Sequence, residues 1–129
     1  MSAPLERTVP GAFDAALGRV REALAGEGFG VLTEIDVRST LAQKLGVEFR
    51  RYAILGACNP PFAHRALSLD LRAGLSMPCN VVVHEGDDGA VVVRAVDPTL
   101  TVAAAGHPGL AELAAEVRDK LGRALAQLA

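Results

Sequence analysis

Val81-Val82-Val83-His84-Glu85-Gly86-Asp87-Asp88-Gly89-Ala90-Val91-Val92-Val93 is the stretch that decides the fold. Two valine runs flank a short acidic segment bracketed by glycines, which is the pattern of a β-hairpin. Branched side chains favour the pleated strand, and Gly and Asp supply the backbone conformations that a tight reversal needs. Asp87-Asp88 therefore reads as turn chemistry. Downstream, Asp97-Pro98-Thr99 redirects the chain, and Pro108 opens a long helix. Its residues Leu110, Leu113, Val117, Leu121, Leu125 and Leu128 keep one apolar face.

Upstream of the hairpin, strands and helices alternate. Leu5 to Val9 is a short strand ended by Pro10-Gly11. Phe13, Leu17, Val20 and Leu24 recur at helical spacing, and Gly26 and Gly28 stop that helix. Phe29, Val31, Thr33 and Ile35 alternate with other residues as in a strand. Asp36 is a good N-cap for a short helix through Leu41 and Leu45, closed by Gly46. Tyr52 to Ala57 is a second buried strand, and a short helix containing His64, Ala66 and Leu67 follows Pro60-Pro61. Alternation of this kind also occurs in parallel α/β sheets. The valine hairpin, followed directly by a terminal helix, argues instead for α+β: a mainly antiparallel sheet of about five strands, helices on one face, and a long C-terminal helix.

The bulk numbers fit one domain spanning residues 1–129, half hydrophobic and 22% charged. The formal charge is −2, no basic run exceeds Arg50-Arg51, and there is no Trp and only one Tyr. A nucleic-acid binder would carry a basic stripe or stacking aromatics, so no nucleic-acid partner is expected. No apolar run approaches the roughly 20 residues that span a bilayer, so no membrane partner is expected. Met1-Ser2-Ala3-Pro4-Leu5-Glu6-Arg7 lacks the order of a secretory signal. The expected location is the cytoplasm, where Cys58 and Cys79 are reduced thiols.

Chemistry concentrates in Ile54-Leu55-Gly56-Ala57-Cys58-Asn59-Pro60-Pro61. An apolar strand runs into Cys-Asn and then two prolines that begin a helix. Asn59 suits the N-cap and Pro60 the first helical position, which puts Cys58 beside a helix N-terminus, where a thiolate is stabilised. A second Cys-Asn, Cys79-Asn80, immediately precedes the valine strand. Cys58, Asn59, Cys79 and Asn80, with Lys44, are the candidate site. The two thiols could hold a soft metal such as Cu(I), with His64 or His84 completing the set, or form a reversible disulfide. Cys58 could also be a nucleophile, although no base and orienting group accompany it. A structural reading competes with all three, because a free cysteine often serves as a small apolar filler. A further alternative is a small-molecule or lipid binder using the sheet face under the C-terminal helix. The sequence identifies no cofactor.

Other candidates read as structure. His64 faces solvent, His84 lies opposite Val81 and Val83 in a half-buried role, and His107 precedes Pro108 as a cap or loop residue. Glu34 and Asp36 read as a solvated carboxylate and a cap. Gly26-Glu27-Gly28-Phe29-Gly30 follows a helix instead of opening one, so it fails the context of a nucleotide-binding glycine loop.

Gly28-Phe29-Gly30-Val31-Leu32, Lys44-Leu45-Gly46, Ile54 to Pro60 and Pro78-Cys79-Asn80-Val81-Val82-Val83 resemble the signature blocks of domain-of-unknown-function family 302. The resemblance runs from about Leu5 to the terminal helix. It implies a curved antiparallel sheet packed on helices, similar to the TATA-binding-protein-like architecture, and a homodimer. It implies no activity, and a shared fold would not by itself imply DNA binding. The motif positions fall on Lys44, Cys58, Asn59, Pro60, Cys79 and Asn80, none of them with a role to carry over.

Overall fold

The computed structural model describes residues 4–128. Five strands form one fully antiparallel sheet: β1 (Glu6–Val9), β2 (Gly30–Asp36), β3 (Tyr52–Cys58), β4 (Cys79–Glu85) and β5 (Val91–Ala95). Their order across the sheet is β1-β5-β4-β3-β2. Four α-helices, α1 (Phe13–Gly26), α2 (Val37–Leu45), α3 (Pro60–Leu69) and α4 (Leu110–Ala126), join short 3-10 turns at Leu71–Ser76, Pro98–Leu100 and Val102–Ala105. The fold is α+β, as the hairpin led us to expect.

The hairpin turn is built as its residues require. Gly86 N–H donates to the Ala90 carbonyl at 2.6 Å, and Asp88 accepts from Ala90 N–H at 3.1 Å. Gly89 sits at φ +84°, where a side chain would be strained. Residues directly opposite one another share a face of a sheet. Leu55 pairs with Val81, Ala53 with Val83, Val83 with Val93 and Val9 with Val91. These residues are buried, and α1 covers them with Phe13, Ala16, Val20, Ala23 and Leu24. From α4 come Val117, Leu121, Ala124 and Leu125. The apolar stripe of α4 is thus consumed by the chain's own core. A smaller core of Ala66, Ala73, Val102, Leu110 and Leu113 fills the space beneath α3.

The opposite face carries the alternate residues and no helix of this core. Ile35 pairs with Ile54, Ile54 with Val82, and Tyr52 with His84. The Tyr52 and His84 rings stack, centroids 5.1 Å apart. His84 Nδ1 lies 2.9 Å from the Glu85 carbonyl and Nε2 3.0 Å from Arg94 Nη1. This is the half-buried, satisfied role expected for it.

The β2–β3 connection follows its sequence closely. Asp36 caps α2 by accepting from Ser39 N–H at 3.0 Å, and Gly46 ends the helix at φ +66°. Glu34 pairs with Arg21 of α1. The long helix departs slightly from expectation. Residues 107–109 form a turn in which His107 Nδ1 accepts from Gly109 N–H at 2.9 Å, and α4 proper begins at Leu110.

Candidate functional site

Because β3 and β4 run antiparallel, the end of one and the start of the other meet at the same end of the sheet. Ala57 pairs with Cys79, so Cys58, the last residue of β3, stands one step from it. Both cysteines are free and half-buried, and both line one cavity of about 40 Å³. The cavity sits at the seam between the two cores. Ala57 and Cys79 form its floor at the sheet, Phe62 and Ala66 of α3 one wall, and Leu113, Ala114 and Val117 of α4 another. Met77, Pro78, Pro98 and Val102 close the remaining side.

Burial pushes the Cys79 thiol up to about 11, and the charge of the neighbouring Cys58 adds to the rise. Cys79 is therefore protonated at neutral pH. A thiol with a raised folded-state pKa contributes stability below its unfolded pKa. That contribution is lost as the pH climbs through the folded value, so Cys79 destabilises the fold only in the alkaline range.

Asn59 occupies the N-cap position of α3 but makes no side-chain capping bond. The physical reason lies in Pro60 and Pro61, which have no N–H to donate to a cap. The buried amide turns away instead, and its Nδ2 donates to the Glu27 carbonyl at 3.2 Å. Glu27 Oε1 in turn accepts from Arg123 Nε of α4 at 2.9 Å. Asn59 and Glu27 thus tie α3, the α1–β2 turn and α4 together at the rim of the site. Gly28, at φ +87°, also leaves room for this contact, since a Cβ there would lie 3.0 Å from Asn59 Nδ2.

The structure brings Cys58, Asn59 and Cys79 together and leaves two of the sequence candidates outside. Asn80 pairs with Gly56 on the opposite face and is exposed. Lys44 is exposed in the last turn of α2. Neither borders the cavity. His64 and His84, expected as possible completing ligands, do not line it either. Among the described residues, no group of three or more His, Cys, Asp and Glu side chains could hold a metal ion. Sequence reasoning missed Met77, which borders the same cavity two residues before Cys79. The spacing Met77-Pro78-Cys79 was the available signal, but the link to Cys58 exists only through the antiparallel pairing.

Comparisons with known proteins follow the same lines. The chain matches the family model "Domain of unknown function DUF302" over residues 5–128. It is similar to the crystal structure of an uncharacterized conserved protein DUF302 from Bacillus stearothermophilus. The sequence identity is 32%, the TM-score is 0.88, and the match covers 96% of each chain. No curated protein matches the chain.

Proposed function

This chain belongs to the DUF302 family, and we propose that it is a small binding or sensing module for a soft ligand held between Cys58 and Cys79. The observation that carries the reading is that Cys58 and Cys79, far apart in sequence, border one apolar cavity beside α4. Apolar walls disfavour a hard cation or an anion, which would exchange its hydration shell for carbon atoms. Sulfur donors favour soft ions. Size narrows the guest further. An apolar cavity of ~150 Å³ holds benzene, whereas this one measures about 40 Å³. An acyl chain does not fit, so the alternative of a lipid or larger small-molecule binder loses support. A cysteine-dependent enzyme also has little support, because no His, Lys or carboxylate lines the cavity to take a thiol proton.

Arsenite, which bonds to paired thiols, tests the reading. Native mass spectrometry is expected to show one arsenic per wild-type chain and none in Cys58→Ser or Cys79→Ser. Undiminished uptake by either variant would remove the paired-thiol site. If oxidised glutathione instead joins Cys58 to Cys79, releasing two reduced glutathiones, and arsenite is not taken up, the function moves to redox sensing.

We place the protein in the cytoplasm, where both thiols stay reduced. No helix among the described residues is long and apolar enough to cross a membrane. The element order is compatible with the TATA-binding-protein-like architecture, and we propose no nucleic-acid partner for it. The homodimer implied by the family resemblance finds support on the surface away from α4. Helix α2 buries no residue. Beside it Leu32, Ile35, Leu45, Val47 and Phe49 are all exposed. Phe49 contacts Tyr52, ring centroids 6.4 Å apart, which makes this arm continuous with the open sheet face.

A short helix with no packed face is marginal in water. A second copy can cover the arm and the sheet face reciprocally, because the exposed Arg38, Lys44 and Glu48 supply both signs of charge. In sedimentation velocity, Leu45→Glu combined with Phe49→Glu is expected to turn a dimer into a folded monomer. A wild-type protein that stays monomeric at every concentration contradicts the proposal.

A further inference from the structure

We infer that the open sheet face carries an acid-sensitive lock, in which neutral His84 lets two copies of the chain pair and its protonation separates them. The inference rests on the homodimer reading above and adds how that surface is regulated. His84 lies on β4, on the sheet face that no helix of the core covers, and its ring stacks on Tyr52 at an interplanar angle of 5°. Tyr52 in turn contacts Phe49 of the exposed arm. The imidazole is therefore continuous with the surface assigned to the second copy.

Two hydrogen bonds fix its tautomer and its charge. Nδ1 meets the Glu85 carbonyl, which can only accept, so Nδ1 carries the hydrogen. Nε2 meets Arg94 Nη1, which can only donate, so Nε2 is the bare acceptor. A proton added to Nε2 would oppose a guanidinium N–H, and two cationic groups would meet at 3.0 Å.

The carboxylates around the ring are already engaged. Glu6 of β1 accepts from Arg94 Nε at 2.7 Å. Arg50 donates to the Glu85 carbonyl at 3.1 Å and pairs with Asp87 of the hairpin turn at 2.8 Å. The Glu85 carboxylate, one position along β4 and so on the other side of the strand, accepts from Arg51 N–H at 2.9 Å. The arm contributes Arg38, Lys44 and Glu48, two cations to one carboxylate. Neutral His84 thus leaves the face balanced, and an imidazolium adds a charge with no carboxylate to meet it.

In the single chain Arg94 and Glu6 are half-exposed, so water screens the added charge and Arg94 is free to swing away. Beneath a second copy the same charge loses its water. Two-fold symmetry doubles the effect, so dissociation takes up two protons per dimer, and a falling pH favours monomers. Histidine is the side chain that changes charge between about pH 5 and 8.

The test is sedimentation velocity of the full chain from about pH 7.5 to about pH 5.5, with circular dichroism to follow the fold. The wild-type dimer Kd is expected to rise about 100-fold over this range, about tenfold for each proton. His84→Gln, which cannot take a charge, is expected to stay dimeric throughout. His64→Gln, on α3, is expected to keep the wild-type dependence. Dilution calorimetry of wild type near pH ~6, in two buffers of different ionisation enthalpy, counts the protons without any variant, and two per dimer are expected. A wild-type dimer that takes up no protons, or a His84→Gln dimer with the wild-type pH dependence, overturns the inference and leaves the homodimer reading in place. A chain that is monomeric at every pH and concentration removes both.

Discussion

Leu55→Ala is expected to destabilise the protein by about 2–5 kcal/mol, measured by urea unfolding at constant m-value. Leu55 is fully buried on β3, opposite Val81 of β4 and Glu34 of β2. Its side chain belongs to the core that α1 and α4 close over the sheet. Truncation removes the transfer energy of the lost methyl groups and leaves a cavity that the rigid sheet cannot collapse. Against a total stability of about 5–15 kcal/mol, this is a large fraction. A loss below about 1 kcal/mol would mean that the helices do not pack on this face as described.

The neighbouring residue fails for the opposite reason. Gly56 points to the other face, where an added Cβ would collide with Thr33 Oγ1 of β2 and come within 2.8 Å of Pro78 Cγ. Gly56→Ala is therefore expected to cost about 1–3 kcal/mol through overpacking. Thr33 pairs directly with Gly56 across the strands. Adding Thr33→Ala should then restore part of the loss, a coupling that a double-mutant cycle of urea transitions measures. Neutral behaviour of Gly56→Ala, or strict additivity with Thr33→Ala, would contradict the close approach.

These adjacent positions also mark the boundary of what the sequence disclosed. The strand through Leu55, the valine hairpin, the Asp36 cap and the Gly46 stop were legible because each depends on local periodicity or turn chemistry. The sheet order was not, since the pairing of β1 with β5 joins residues from opposite ends of the chain. The 3-10 turns carry no periodic signal, and Leu71–Ser76 and Val102–Ala105 went unread. At the site, Cys58 and Cys79 were legible as a pair of strand-end thiols. Asn59 was read as a cap from its type and position, but its amide goes to Glu27 because the prolines leave it few donors. Asn80 and Lys44 shared motif blocks with the site without sharing its space. Alternation along β4 sends Asn80 to the face opposite Cys79.

The most direct measurement is anomalous X-ray diffraction at the arsenic edge from crystals of the arsenite-treated chain. The account predicts one strong peak at the cavity bordered by Cys58 and Cys79. A peak at any other position, with the cavity between α3, α4 and the strand ends unoccupied, would contradict it.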